Sequence, residues 1–124
     1  MRSTFLFLII LTCSLSSYLA QENEDVAMVL SKKELISAKE TGGYTIKLPS
    51  QLTKEEVDKC AGFYVHNFTV NFDEETKEAK ISMVTNDARN RQIIIRFVTA
   101  CGVRHMNIEG SIMEPQDFFE TYLK

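Results

Sequence analysis

Apolar and polar residues alternate in four stretches of the chain, and a period of two predicts half-buried β-strands. These stretches are 44–49, 64–72, 79–85 and 103–110. In the first of them, Tyr44, Ile46 and Leu48 share one face, and Pro49 ends the strand because proline lacks a backbone donor. The second and third stretches are joined by the short charged segment 73–78, so together they predict a β-hairpin.

Two segments between these strands have apolar residues at helical spacing. The first begins at Thr53, which forms a capping-box pattern with Glu56 three residues later. The second is 86–102, with Asn86 or Asp87 as its cap. Its wide apolar stripe consists of Ile93, Ile94, Phe97, Val98 and Cys101. Three charged residues of this segment are expected to point to water: Arg89, Arg91 and Arg96.

The segments on either side of this region are predicted to add helices. Apolar residues in 26–36 recur at helical spacing, and the pair Gly42 and Gly43 suits a helix end. Residues 26–30 have the alternative interpretation of a short strand. In the tail, Pro115 suits a first helical turn. Three aromatic residues of the tail are expected to dock on the domain: Phe118, Phe119 and Tyr122.

The order from residue 44 to residue 110 is strand, helix, strand, strand, helix, strand. This order predicts an α+β fold of the ferredoxin-like βαββαβ type, with an antiparallel sheet and two helices on one face. Residues 21–43 are then an acidic and helical N-terminal extension, and 44–124 are the ferredoxin-like domain with its C-terminal helix.

The first twenty residues have the pattern of a secretory signal peptide. Arg2 is their only charged residue, and an apolar run of seven residues, 5–11, follows it. We expect cleavage after Ala20 and export to the periplasm or the extracellular space. Two alternatives remain open: an uncleaved N-terminal anchor, and a lipoprotein modified at Cys13. After cleavage the chain has no other long apolar run, so we expect no stable membrane insertion.

Element order, domain length and the passage "VTACGVRHMNIEG" (98–110) together resemble the heavy-metal-associated domain family. That family binds soft metal ions through two cysteines, two residues apart, in the loop between its first strand and helix. The matching loop here, "KLPSQLTKEE" (47–56), has no cysteine, histidine or methionine. The resemblance therefore implies the fold, and it assigns no metal ligand and no cofactor to this chain.

An alternative metal site needs ligands from elsewhere in the chain, and four side chains are available: His66, His105, Cys60 and Cys101. No pair among them has the spacing typical of zinc ligands. Two cysteines in an exported chain also suggest a disulfide. Because each lies late in its own helix and the helices should run antiparallel, we expect the two thiols to be far apart, buried and unpaired.

Motifs for catalysis are missing from the sequence: it has no nucleophile elbow, no HExxH and no phosphate-binding glycine loop. The mature segment has a formal charge of −4, because the leader holds one of the 14 basic and none of the 17 acidic residues. An acidic chain without a basic cluster does not suggest nucleic-acid binding. Asn67 begins an Asn-Phe-Thr glycosylation sequon.

The sheet face that the helices leave open is the remaining surface of interest. It is expected to be mostly polar and to present Thr45, Lys47, Asn67, Thr69, Asn71, Lys80, Ser82 and Val84. We therefore expect a small, exported, non-catalytic binding or interaction module. Its partner would be another protein or a second copy of the chain, on the open face or at an edge strand. The alternative is a metal-handling module that uses the four His and Cys residues.

Overall fold

The computed structural model describes residues 25–124, which form one six-stranded sheet with helices packed on one face. The strands are β1 (Val26–Val29), β2 (Gly43–Lys47), β3 (Phe68–Asp73), β4 (Glu78–Met83), β5 (His105–Ile108) and β6 (Ser111–Met113). The helices are α1 (Lys32–Thr41), α2 (Lys54–Ala61), α3 (Ala88–Ala100) and α4 (Pro115–Phe118), with a 3₁₀ turn at Gly62–Tyr64 and a π-helical turn at Phe119–Leu123. The predicted signal peptide and Cys13 lie outside the described residues.

The strand order across the sheet is β3-β4-β2-β1-β5-β6. β1 and β5 pair in parallel, while the other neighbours pair antiparallel. The α+β class is confirmed, but the expected antiparallel sheet is wrong because the sheet is mixed. The difference comes from β1, which belongs to the predicted N-terminal extension and lies in the middle of the sheet.

The alternative interpretation of residues 26–30 as a short strand is confirmed for Val26–Val29. The following helix begins only at Lys32, because Ser31 caps it by accepting a hydrogen bond of 3.1 Å from the backbone N–H of Glu34. Gly42 then ends this helix in the left-handed region, with φ of 79°. The helix predicted from the apolar spacing therefore began too early in the chain.

Two βαβ units organise the rest of the sheet. In the unit β2-α2-β3, strand β4 lies between the two strands of the unit. In the unit β4-α3-β5, two strands intervene instead of one, because β1 has entered beside β2. The two outer edges of the sheet are β3 and β6.

Helix caps anchor the ends of α2 and α3 as the sequence predicts. Thr53 accepts a hydrogen bond of 3.2 Å from the backbone N–H of Glu56, and Asp87 accepts one of 2.8 Å from that of Asn90. The donation from Asn90 lowers the pKa of the Asp87 carboxyl group. These caps fix where the apolar faces of both helices begin.

The core lies between the sheet and the helices. Inward-facing strand residues such as Ile81 and Met106 are fully buried, and they pack with Phe97 and Val98 of α3. The Phe68 ring contacts the Phe97 ring edge to face, with centroids 5.7 Å apart. The tail completes this core with three buried side chains: Phe118, Phe119 and Leu123.

Arg91 does not point to water as expected, since it is only 9% exposed. Its Nε donates a hydrogen bond of 2.5 Å to the backbone carbonyl of Leu123, and its guanidinium donates another of 3.0 Å to Asn86 Oδ1. The Tyr44 hydroxyl is buried nearby, and burial raises the pKa of Tyr44. Arg91 therefore ties α3 to the C-terminal turn, a role that compensates for its burial.

No helix within residues 25–124 is long and apolar enough to cross a membrane.

Candidate functional site

The face of the sheet away from the helices carries an exposed row of side chains that crosses four strands. Met28 of β1 stands opposite Lys47 of β2 on one side and opposite Asn107 of β5 on the other. Asn107 in turn stands opposite Ile112 of β6. Because cross-strand partners lie about 5 Å apart, these four side chains form a continuous surface.

Exposed apolar side chains distinguish the β1–β6 part of this face. Met28 is 49% exposed, Leu30 is 69% exposed and Ile112 is 59% exposed. Leu30 directly follows β1 and lies two residues beyond Met28, so it extends the same face of the strand. We call Met28, Leu30 and Ile112 the apolar patch.

The expected polar character holds only for the other half of the open face. Thr69, Asn71, Lys80 and Ser82 of β3 and β4 are exposed polar residues, as the alternation predicts. The apolar patch was missed because residues 26–30 were assigned to a helix and 111–113 to no element. The available signal was weak, since all five residues of "VAMVL" are apolar and reveal no buried face.

Asn67 is also placed differently from its expected position on the open face. It is half-buried, and its Nδ2 donates a hydrogen bond of 2.9 Å to Asn90 Oδ1 on α3. This is the nitrogen that an N-linked glycan would occupy. In the folded chain the sequon nitrogen is therefore engaged in joining β3 to α3.

Two depressions lie along β1, one on each side of the Met28 side chain. The larger, of about 390 Å³, includes Leu30 and Thr45, and the smaller, of about 280 Å³, includes Val26 and Pro49. Three residues border both depressions: Met28, Lys47 and Asn107. The Met28 side chain therefore separates the two depressions.

Charged groups surround the larger depression unevenly. Lys47 forms no ion pair with any of residues 25–124, so its ammonium group is available at the rim. Glu109 is held on the opposite side, where its Oε1 accepts a hydrogen bond of 3.2 Å from the backbone N–H of Lys32. Glu78 also borders this depression. The rim thus offers one unpaired cation and two carboxylates.

The β5–β6 turn makes this rim rigid. Glu109 and Gly110 both have positive φ, 52° and 85°, which suits a tight two-residue hairpin turn. The backbone N–H of Gly110 donates a hydrogen bond of 3.0 Å to Asn107 Oδ1. The side chain of Asn107 is therefore fixed beside Met28 by the turn that follows it.

The two cysteines of the described chain are neighbours, so their expected separation is wrong. Cys60 Sγ lies 3.6 Å from the backbone carbonyl oxygen of Ala100, the residue before Cys101. Both thiols are free. Burial raises the pKa of the Cys101 thiol, and the nearby Cys60 thiol raises it further. The predicted strand order implied that α2 and α3 run antiparallel. It did not show that their C-terminal ends lie beside each other.

The histidines do not join the cysteines in a metal site. His66 is exposed in the connection before β3. His105 is exposed at the start of β5, with its Nδ1 3.8 Å from Asp25 Oδ2. Among residues 25–124 no three His, Cys, Asp or Glu side chains are placed to hold a metal ion together. Of the four candidate ligands, only Cys60 and Cys101 are brought into contact.

Comparisons with known proteins assign no family to the chain. No protein-family model matches it, and no match was found among curated proteins or solved structures. The resemblance to the heavy-metal-associated domain family stays a prediction.

Proposed function

We propose that this chain is a small, exported, non-catalytic interaction module that binds an extended segment of a partner protein on the open face of its sheet. The observation that carries the proposal is the apolar patch, which leaves Met28, Leu30 and Ile112 between 49% and 69% exposed on one surface. Apolar side chains gathered on an otherwise polar face mark interaction sites in soluble domains. Export is supported by the leader-like residues 1–20.

The spacing of the two depressions favours an extended segment. They flank Met28 along β1. The smaller depression lies between Val26 and Met28, and the larger lies between Met28 and Leu30. Alternate residues of a strand lie about 6.6 Å apart, so the two depressions are separated by the spacing of side chains i and i+2 of an extended peptide. A partner with apolar side chains at alternate positions could therefore fill both.

The charges beside the patch favour an acidic group close to one end of that segment. Lys47 borders both depressions and has no ion pair within the described residues. An acidic residue of the partner at the smaller depression, which Lys47 and Lys77 border and no carboxylate of the described residues does, would gain this cation without displacing an existing pair. The preferred ligand is thus an extended apolar-x-apolar peptide with a neighbouring Asp or Glu.

For the fold itself, we propose a modified ferredoxin-like arrangement for residues 43–108. The split unit β2-α2-β3 and the order of β3, β4, β2 and β5 support this description, with β1 as an inserted strand.

A displayed random-peptide library tests the proposed function. The full chain is the bait, with Leu30→Lys as the test variant and Ile36→Lys as its matched control. Ile36 lies on α1 and is 65% exposed, against 69% for Leu30, so both substitutions place a lysine at an equally exposed aliphatic position. We expect enriched peptides with alternating apolar residues that bind wild type and Ile36→Lys and fail to bind Leu30→Lys.

Chemical-shift mapping with an enriched synthetic peptide supplies the second readout. Shifts confined to β1, β2, β5 and β6 would support the proposal. Enriched peptides that bind the Leu30→Lys variant as well as wild type, or that shift residues on the helical side, would refute it.

A further inference from the structure

The C-terminal ends of α2 and α3 bring two thiols together in the folded chain. Cys60 is the next-to-last residue of α2, and Cys101 directly follows α3 as its C-cap. Cys60 Sγ lies 3.6 Å from the carbonyl oxygen of Ala100, and the two thiols are close enough to be hydrogen-bond partners. Residues about 40 positions apart in the chain thus meet where α2 and α3 end.

A glycine follows each cysteine closely where its helix ends. Cys101 is at a helix end and is followed by Gly102, whose φ of 94° turns the chain out of α3. Cys60 is followed after one residue by Gly62, and no heavy atom lies within 4 Å of a Cβ built there. Helix ends fray and adjust more readily than helix centres. Closure of a bridge would therefore draw on movement at these two ends, including that of Cys101, which belongs to the core.

We propose that Cys60 and Cys101 are a reversible covalent site that closes into an intramolecular disulfide when the chain meets a low-molecular-weight disulfide. The inference is independent of the proposed function, because the two thiols lie at the ends of α2 and α3 and not on the open face.

Exposure sets the order of the two steps. Cys60 is half-buried and reachable, whereas Cys101 is only 8% exposed. Cys60 therefore loses its proton and attacks one sulfur of the small disulfide, which releases one small thiol and leaves a mixed disulfide on Cys60. Cys101 then loses its proton and attacks Cys60 Sγ, and the second small thiol leaves with its electron pair and takes a proton. The small disulfide is reduced by two electrons and the protein pair is oxidised by two.

Burial also explains why the second step should be the slower one. The raised pKa of the Cys101 thiol keeps it protonated at neutral pH, and the thiolate is the attacking species. Because Cys101 is buried, the C-terminal end of α3 has to open before the disulfide with Cys60 can form.

The experiment uses the full chain with Cys13→Ser, so that Cys60 and Cys101 are its only thiols. The protein is equilibrated with glutathione and glutathione disulfide in varied ratios, quenched with an alkylating reagent and analysed by intact mass and peptide mapping. We expect a monomer that is lighter by two hydrogens, resists alkylation and yields one peptide pair joined between Cys60 and Cys101.

The Cys101→Ala variant checks the order of the steps. It should accumulate glutathione on Cys60, because no second thiol is present to displace it. Circular dichroism establishes that both proteins are folded. Mixed disulfide on Cys60 that persists in the folded protein with both thiols, or cross-linked dimers in place of the internal bridge, would overturn the proposal. If Cys101→Ala is unfolded, the Cys60→Ser variant replaces it, and rapid alkylation of its Cys101 would equally contradict the assigned order.

Discussion

Closing the Cys60–Cys101 bridge should raise the stability of the domain by a large and calculable amount. The bridge would enclose a loop of roughly 40 residues that contains β3, β4 and α3. In the chain-entropy treatment, a loop of this length lowers the entropy of the unfolded chain by about 13 cal/mol/K, which is about 4 kcal/mol at 25 °C. Strain in the folded state would subtract from this figure.

Urea denaturation of the oxidised and the reduced protein measures this difference directly. We expect the free energy of unfolding to be higher by about 3–4 kcal/mol in the oxidised protein. The slope of that free energy against urea should fall slightly, because a cross-linked unfolded chain exposes less surface. In thermal melts a gain of this size corresponds to an increase of about 15–30 °C for a domain of this length.

The double variant Cys60→Ser, Cys101→Ala is the control, since it should give the same free energy of unfolding with and without oxidant. A bridged wild type whose stability lies within about 1 kcal/mol of the reduced form would refute the entropic reasoning. It would indicate that the strain energy of the bridge at the ends of α2 and α3 nearly cancels the free energy gained by restricting the unfolded chain.

Three further predictions concern the core, a cap and a turn. Phe97→Ala should lower the free energy of unfolding by about 3–5 kcal/mol in urea titrations, because a fully buried ring is replaced by a cavity; a loss below about 1 kcal/mol would contradict this packing. Asp87→Ala should destabilise the folded chain at neutral pH, because α3 loses its N-cap acceptor. The folded pKa of Asp87 lies below its unfolded value, so the difference in stability between wild type and variant should vanish as the pH falls through that lowered pKa. Urea denaturation curves at neutral pH and at a pH below the lowered pKa measure this difference, and an equal difference at the two pH values would contradict the prediction. Gly110→Ala should lower the melting temperature by an amount equivalent to about 1–2 kcal/mol, since φ is 85° there, whereas Gly43→Ala, without positive φ, should change it little; equal shifts would argue against the turn.

The part of the fold that the sequence predicts well is the part with clear alternation. Strands β2 to β5 each have one apolar and one mostly polar side, so their register on the core could be inferred from residues such as Tyr44 and Ile46. Caps at Thr53 and Asp87 were equally visible, because a side-chain acceptor at a helix start acts through its immediate neighbours. Local chemistry was sufficient for these features.

The features that the sequence did not predict depend on distant partners. Residues 26–30 are apolar on both sides, since one side meets the core and the other forms the apolar patch, and no alternation remains to mark a strand. Arg91 is buried because a carbonyl oxygen more than thirty residues away in the chain, that of Leu123, accepts its hydrogen bond. The meeting of Cys60 and Cys101 depends on how α2 and α3 are offset, which strand order does not determine.

The position of β1 has a consequence for how the domain is assembled. The first strand of the described chain occupies the centre of the sheet, and its parallel partner β5 lies about 80 residues later. The three strands β3, β4 and β2 can associate once about two thirds of the chain is present, whereas β1 can join β5 only after nearly all of it has been made. Closing so long a loop is slow, so the central pairing should form among the last contacts. Removal of residues 26–29 would then leave two separate pieces of sheet, and not one sheet shortened at its edge.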